Sequence, residues 1–184
     1  MLLVNFIPFP NLETKRCILR QVVSADAPQI LVLRSDKQVL KYLDKEPMYT
    51  LEEAVSFISK MDETVVQGSG ISWGIILKES RQLIGVAGLW RLIKEHYRAE
   101  VGYTLLPDFW GKGIMSEVLD TIIDYGFTKI GLHSIEANVN PENQASIRLL
   151  EKHGFAREAY FRENYYFNGN FLDSAIYSLI KPKA

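Results

Sequence analysis

Between Trp110 and Ser116 the chain reads Trp-Gly-Lys-Gly-Ile-Met-Ser. Behind this turn Ile114, Met115, Val118, Leu119, Ile122, Ile123 and Phe127 recur at helical spacing, an amphipathic helix of about four turns. Gly111 and Gly113 allow positive φ and close approach of the backbone. The free N–H groups of the turn and the first helical residues can therefore converge on an anion, with the helix dipole behind them and Lys112 adding a full charge. Three phosphate-binding patterns compete for the segment. A Walker A loop requires Gly-x-x-x-x-Gly-Lys-Ser/Thr, and Lys112 is followed by Gly113. A dinucleotide fingerprint is approached by Gly111, Gly113 and Ser116, with Glu136 downstream, but Pro107 to Gly111 separate the turn from its strand.

The elements that must position this turn follow from periodicity. A first strand is predicted over Arg16 to Val22, then a helix from Ser24-Ala25-Asp26 and Pro28 to about Ser35. Thr50 and Glu53 form a capping box ahead of a helix ending near Gly68. Strands over Ile71 to Lys78, Gln82 to Arg91 and Tyr97 to Leu106 form an antiparallel meander. The helix after Gly113 is bounded by Gly126 and Gly131, and a strand follows over Ser134 to Val139. Asn140 as cap and Pro141 as first residue open a helix that closes at Gly154. Two further strands, Phe155 to Arg162 and Phe171 to Leu179, flank a turn at Asn168-Gly169.

A chain of 184 residues, 47% hydrophobic and 23% charged, suits one domain over residues 1–184 with a sizeable core. Its 21 basic against 22 acidic side chains leave a net charge of -1, with no global basic field for nucleic acid. One cysteine, Cys17, excludes an internal disulfide, and no Cys/His set has zinc-site spacing. The apolar start, Met1 to Pro10, lacks a basic n-region and a cleavage site, and no apolar run has the roughly 20 residues that span a bilayer. The expectation is a cytoplasmic protein with no metal and no membrane partner.

The third pattern is a family resemblance. Tyr103-Thr-Leu105-Leu-Pro107 followed by Gly111 and Gly113 ahead of an amphipathic helix resembles the acetyl-CoA motif of GNAT-superfamily N-acetyltransferases. Asn143-Gln-Ala-Ser146-Ile-Arg-Leu149-Leu-Glu151-Lys-His-Gly154-Phe155 resembles the second conserved helix of the RimJ/RimL-like branch, which acetylates ribosomal-protein N-termini. Leu19-Arg20 with Asp26 is similar to that branch as well. One departure stands out. Where the superfamily usually has Gln/Arg-x-x-Gly-x-Gly/Ala, this chain has Trp110, Gly113 and Met115, which keeps the backbone N–H contacts and loses one side-chain hydrogen bond.

The resemblance implies a mixed, mostly antiparallel α/β (α+β) sheet of about six or seven strands with about four helices. It implies acetyl transfer from acetyl-CoA to a primary amine by direct attack, in a V-shaped opening between the strands Tyr97 to Leu106 and Ser134 to Val139. Pantetheine would pair with backbone from Tyr103 to Leu105, where an N–H near Leu105 serves the oxyanion. Pyrophosphate would lie on Trp110, Gly111, Lys112, Gly113, Ile114, Met115 and Ser116. Asn138 and Asn143 are further cofactor contacts, although Asn143 equally suits the first turn of its helix. Glu100, alternating with Ala99 and Val101, is implied as the base acting through water, against the plain reading of a solvated strand glutamate. Ser146, on one helical stripe with Leu149, Leu150 and His153, is implied as proton donor to the thiolate, or bonds back to its own helix.

A protein α-amine, with a pKa of about 7.7 to 8.0, needs less help from a base than lysine at about 10.4. The acceptor that the resemblance implies is a protein N-terminus. The alternatives are a small amine such as a polyamine, amino acid or aminoglycoside, and a catalytically silent acetyl-CoA-binding module. Cys17 and the scattered His96, His133 and His153 read as structural. Trp73, Trp90 and Tyr49 suit an acceptor pocket or the core. The aromatic stretch Tyr160 to Phe167 suits an acceptor wall, a homo-oligomer contact or a packed hairpin.

Overall fold

The β-branched and aromatic runs of the sequence assemble into one sheet. In the computed structural model, which describes residues 1–182, the strands are β1 (Leu12–Glu13), β2 (Cys17–Arg20), β3 (Ile71–Leu77), β4 (Leu83–Ile93), β5 (Arg98–Leu105), β6 (Ser134–Val139), β7 (Ala156–Phe167) and β8 (Asn170–Ile180). They lie in the order β1-β2-β3-β4-β5-β6-β8-β7. The eighth strand, beyond the seven expected, is the two-residue β1, too short to show alternation. β7 also runs five residues past Arg162, because the turn at Asn168 (φ 45°) and Gly169 (φ 83°) has the two positive φ values of a tight hairpin that pairs Phe167 with Asn170.

Five helices pack on this sheet: α1 (Ala27–Ser35), α2 (Lys37–Leu40), α3 (Leu51–Val66), α4 (Ile114–Tyr125) and α5 (Gln144–Lys152). The unexpected one, α2, is a single turn whose free N–H groups at Gln38 and Val39 are taken by the Asp36 side chain. Thr50 caps α3, its hydroxyl accepting from Glu53 N–H at 3.2 Å while the Glu53 carboxylate accepts from Thr50 N–H at 3.0 Å. α4 ends at Tyr125, two residues short of Phe127. Gly126–Ile130 widen into a π turn closed by Gly131 at φ 81°, and a Cβ on Gly126 would lie 3.1–3.2 Å from Ile135, Leu132 and Leu89. α5 is capped by Asn143, not Asn140: the Asn143 Oδ1 accepts from Ser146 N–H at 3.1 Å, whereas Asn140 holds a turn before it through Glu142 N–H at 2.9 Å.

Strand alternation divides the molecule into two layers. Ala87, Leu89, Val101 and Leu105 join Val118, Leu119, Ile122 and Leu150 in the larger core. Ile76, Leu83, Val22 and the inner faces of α1 and α3, including Ile30 and Ile58, form a smaller one. Each fully buried Leu or Ile contributes about 1.5–3 kcal/mol, so packing rather than propensity fixes the helices against the sheet.

All strand pairs are antiparallel except β5 with β6, the parallel neighbours that α4 connects. Their register is Arg98↔Ser134, Ala99↔Ile135 and Glu100↔Glu136, and it stops there. β5 runs on to Leu105 and β6 to Val139. The sheet is therefore split along half the length of its two central strands.

Candidate functional site

The split leaves backbone groups of β5 without a strand partner. Leu106 N–H donates to the Ile84 carbonyl on the β4 side at 2.8 Å. Since N–H and C=O groups alternate along an antiparallel strand, those of Val101, Tyr103 and Leu105 point the other way, into the gap. A cleft of about 760 Å³ opens there, lined among others by Glu100 to Thr104 of β5, Ala137 to Val139 of β6 and Ser146 of α5. That volume lies within the usual range for a small-molecule or cofactor site.

On the α4 side, the turn has the form an anion requires. Gly111 and Gly113 take φ values of 68° and 73°, and Gly113 caps the helix with no side-chain hydrogen bond to it. Among the described residues, the N–H groups from Gly111 to Ser116 have no protein acceptor. Side chains of the same segment are spent elsewhere: Ile114 is buried and Met115 packs on the core. The Ser116 hydroxyl meets His153 Nε2 at 3.2 Å and Lys152 Nζ at 3.1 Å. Lys112 is exposed, its ammonium 5.7 Å from the centre of the Phe109 ring.

Trp110, which replaces the Gln or Arg of the usual pattern, donates from Nε1 to the Leu105 carbonyl at 2.7 Å, tying the turn to the end of β5. The turn is also anchored by Arg16, the residue just before β2, a contact without any local sequence signal. Arg16 donates to the Lys112 carbonyl at 2.7 Å and to the Glu117 carboxylate at 2.7 Å. Burial works against ionisation of Glu117, but the hydrogen bonds from Thr14 and Arg16 outweigh it and hold its pKa below the ordinary value.

The groups that could handle protons stand on the two faces of β5. Tyr103, on the α4 and α5 face, bonds through its hydroxyl to Ser146 Oγ at 2.8 Å. Burial pushes the Tyr103 phenol up to about 12, with the Ser146 bond opposing only part of that. The sequence reading marked Tyr103 only for its backbone, so the phenol is an addition. Glu100, on the opposite face, is mostly buried, with 18% of its side chain exposed, and pairs with Arg91 at 2.9 Å. Its neighbour Gly102 has no side chain for a steric reason: a Cβ would fall 2.0 Å from the Trp90 indole, which lies across it. Asn138 and Asn143 both line the cleft, Asn143 with its Oδ1 engaged as the α5 cap.

Beyond Glu100 the cleft widens towards α1, α3 and the β7–β8 hairpin, where Asn164, Tyr165, Tyr166 and Phe167 form one wall. The Tyr165 hydroxyl donates to the Asp44 carboxylate, joining that hairpin to the loop after α2; burial and this carboxylate both raise the Tyr165 pKa. Trp90 lines the cleft, whereas Trp73 is core, donating to the Pro10 carbonyl at 2.7 Å, and Tyr49 is 76% exposed. Cys17 is fully buried, and burial raises its thiol pKa.

Comparison with known proteins agrees with this geometry. Residues 16–156 match the acetyltransferase (GNAT) domain family. The chain is 41% identical over 175 residues to the uncharacterized N-acetyltransferase YoaA of Bacillus subtilis, covering 95% of this chain and 99% of that protein. It is 29% identical over 126 residues to the ribosomal protein uS5-alanine N-acetyltransferase of Escherichia coli (68% and 65% covered). With the spermidine N(1)-acetyltransferase of Vibrio cholerae it shares 26% over 155 residues (84% and 87%). Among solved structures, a GNAT-family acetyltransferase from Bacillus anthracis superposes with a TM-score of 0.82 at 27% identity, covering 93% of this chain and 98% of that one. With a glycine turn of free N–H groups, a split sheet and this match in hand, the chain belongs to the GNAT family of acetyl-CoA-dependent N-acetyltransferases.

Proposed function

We propose that the protein acetylates the N-terminal α-amine of a protein or peptide, acting in the cytosol, with Glu100 as base and the Tyr103–Ser146 pair at the leaving group. The observation that carries the reading is the separation of β5 from β6 after Glu100 and Glu136, which puts a carboxylate and a hydroxyl pair on opposite sides of one gap. Bound acetyl-CoA supplies the acetyl group as a thioester. Gly111 to Ser116 would hold its pyrophosphate by their N–H groups, and the gap-facing backbone of Val101 to Leu105 would align its pantetheine, with Leu105 N–H available to the oxyanion.

Glu100, fixed by Arg91, takes through one water the proton that the attacking amine gives up. At the other side Ser146, backed by Tyr103, donates a hydrogen bond to the departing sulfur. A phenol at about 12 beside a thiol near 8.5 keeps its proton, so the pair stabilises a thiolate that solvent later protonates. The α-amine is favoured because half of it is already neutral near pH 8. Charge in the acceptor half supports the same choice. Its two carboxylates, Glu100 and Asp44, share the space with Arg34, Lys45 and Arg91, so a polyamine would meet no excess of negative charge there.

The test is thiol release from acetyl-CoA with peptides bearing N-terminal Ala or Ser, set against spermidine, amino acids and aminoglycosides. Turnover with peptides is expected; turnover with spermidine and not with peptides would replace this reading by that of the polyamine relative.

A further inference from the structure

The acceptor half of the cleft contains a cation that the chemistry above does not use. Arg34, in the last turn of α1, is a lining residue, and its guanidinium carbon sits 5.1 Å from the centre of the Phe57 ring. Its Nε is shielded from solvent with no hydrogen-bond partner, and among the described residues its side chain makes no hydrogen bond and no ion pair. Desolvation lowers its pKa.

A cation–π contact with Phe57 offsets part of the cost of burying the guanidinium and uses none of its N–H groups. A planar fork of donors that has no protein partner, on a residue that lines the cleft, matches a carboxylate, which accepts two parallel hydrogen bonds. Neither carboxylate of the lining pairs with it: Glu100 pairs with Arg91, Asp44 accepts from Tyr165, and the exposed Lys45 adds further positive charge.

We infer that Arg34 is a specificity-determining residue of the acceptor site, reading a carboxylate carried by the amine substrate. The inference rests on the α-amine part of the reading above and adds a second group that the amine must carry. The carboxylate belongs either to an acidic side chain next to the N-terminus or to the α-carboxylate of a free amino acid, and Phe57 orients the fork in either case.

Steady-state kinetics with amidated Ala-Glu and Ala-Gln peptides, and with free alanine against alaninamide, separate these sources. The wild-type protein is expected to show a KM roughly tenfold or more lower for the acid member of one pair. Arg34→Gln should raise that KM to the level of its neutral partner, and Arg34→Lys, which keeps the charge and loses the fork, should restore only part of the preference. Acetyl-CoA binding unchanged in both variants shows that they fold. Calorimetric titration of the N-acetylated forms of the same compounds into the CoA complex reads Arg34 without turnover. Tight binding of an acid form that weakens roughly tenfold in Arg34→Gln carries the inference even if no α-amine reacts, in which case only the proposed function fails. Equal treatment of acid and neutral partners by the wild type, or a preference that survives Arg34→Gln, overturns it.

Discussion

At the residue scale, the arrangement turns on two side chains that leave β5 in opposite directions. Glu100 and Tyr103 are three positions apart, so the pleat sends one to the acceptor side and the other to α5. Glu100→Gln keeps the shape and removes the proposed base, and is expected to lower kcat/KM about 10²- to 10⁴-fold with the KM for acetyl-CoA unchanged. Tyr103→Phe removes a donor but not a titration. Because its raised pKa keeps the phenol protonated until about pH 12, kcat/KM should rise as the α-amine deprotonates near pH 8 and stay level to about pH 10. Tyr103→Phe should lower the plateau without changing its shape. A falling limb between pH 8 and 10 in the wild type that disappears in Tyr103→Phe would show that the phenol titrates there, against the role given to it.

At the scale of elements, the glycine turn before α4 is held by a residue far away in sequence, between β1 and β2. The segment entering β2 meets α4 through Arg16, which spans the Lys112 carbonyl and the Glu117 carboxylate. The pair is partly exposed, 38% and 26% by side chain, so its loss should cost at most about 1 kcal/mol of stability. Its effect on the turn should be larger. Arg16→Ala is expected to raise the KM for acetyl-CoA several-fold with kcat and melting temperature nearly unchanged. A melting temperature that falls sharply with KM intact would place Arg16 in the scaffold alone.

At the scale of the whole molecule, the link between β2 and α1 is the pair Arg20 and Asp26, two hydrogen bonds of 2.7 and 2.8 Å, with Asp26 also accepting from Val23 N–H at 2.8 Å. Burial pushes the Asp26 pKa up, yet the Arg20 and Val23 hydrogen bonds leave it lower than in the unfolded chain. A depressed carboxylate pKa contributes stability that is present above about pH 4 and lost as pH falls through the folded value. Asp26→Asn should cost about 2 kcal/mol near neutral pH, a fall of roughly 4–8 °C in melting temperature. The gap to wild type should narrow as the pH drops below 4; a gap independent of pH would assign the effect to the turn and not the ion pair. The Leu19-Arg20 and Asp26 signature of the family resemblance thus has a structural basis here.

Much of this protein is local, and what is local was legible. The 3.6-residue period of α4, the Thr50 and Glu53 box, the Asn168-Gly169 turn and the glycines at 111 and 113 each encode their geometry within a few residues, because capping, positive φ and amphipathicity are short-range effects. The cap of α5 was misplaced at Asn140 because Asn140 and Asn143 each satisfy a nearby N–H, and only the path of the chain selects between them. The two-residue β1 and one-turn α2 are too short to carry a period at all. What the tertiary structure alone decided is which distant groups meet: Trp90 over Gly102, Arg16 on Lys112, Tyr103 with Ser146, Tyr165 with Asp44, and Arg34 left without a partner. The physical reason is that pairing across a sheet, burial and the solvation of a charge depend on neighbours tens of residues away. The sequence therefore determined the family and the cofactor and the glycine turn proposed to take it, and the folded chain decided the charge of the cleft proposed for the acceptor.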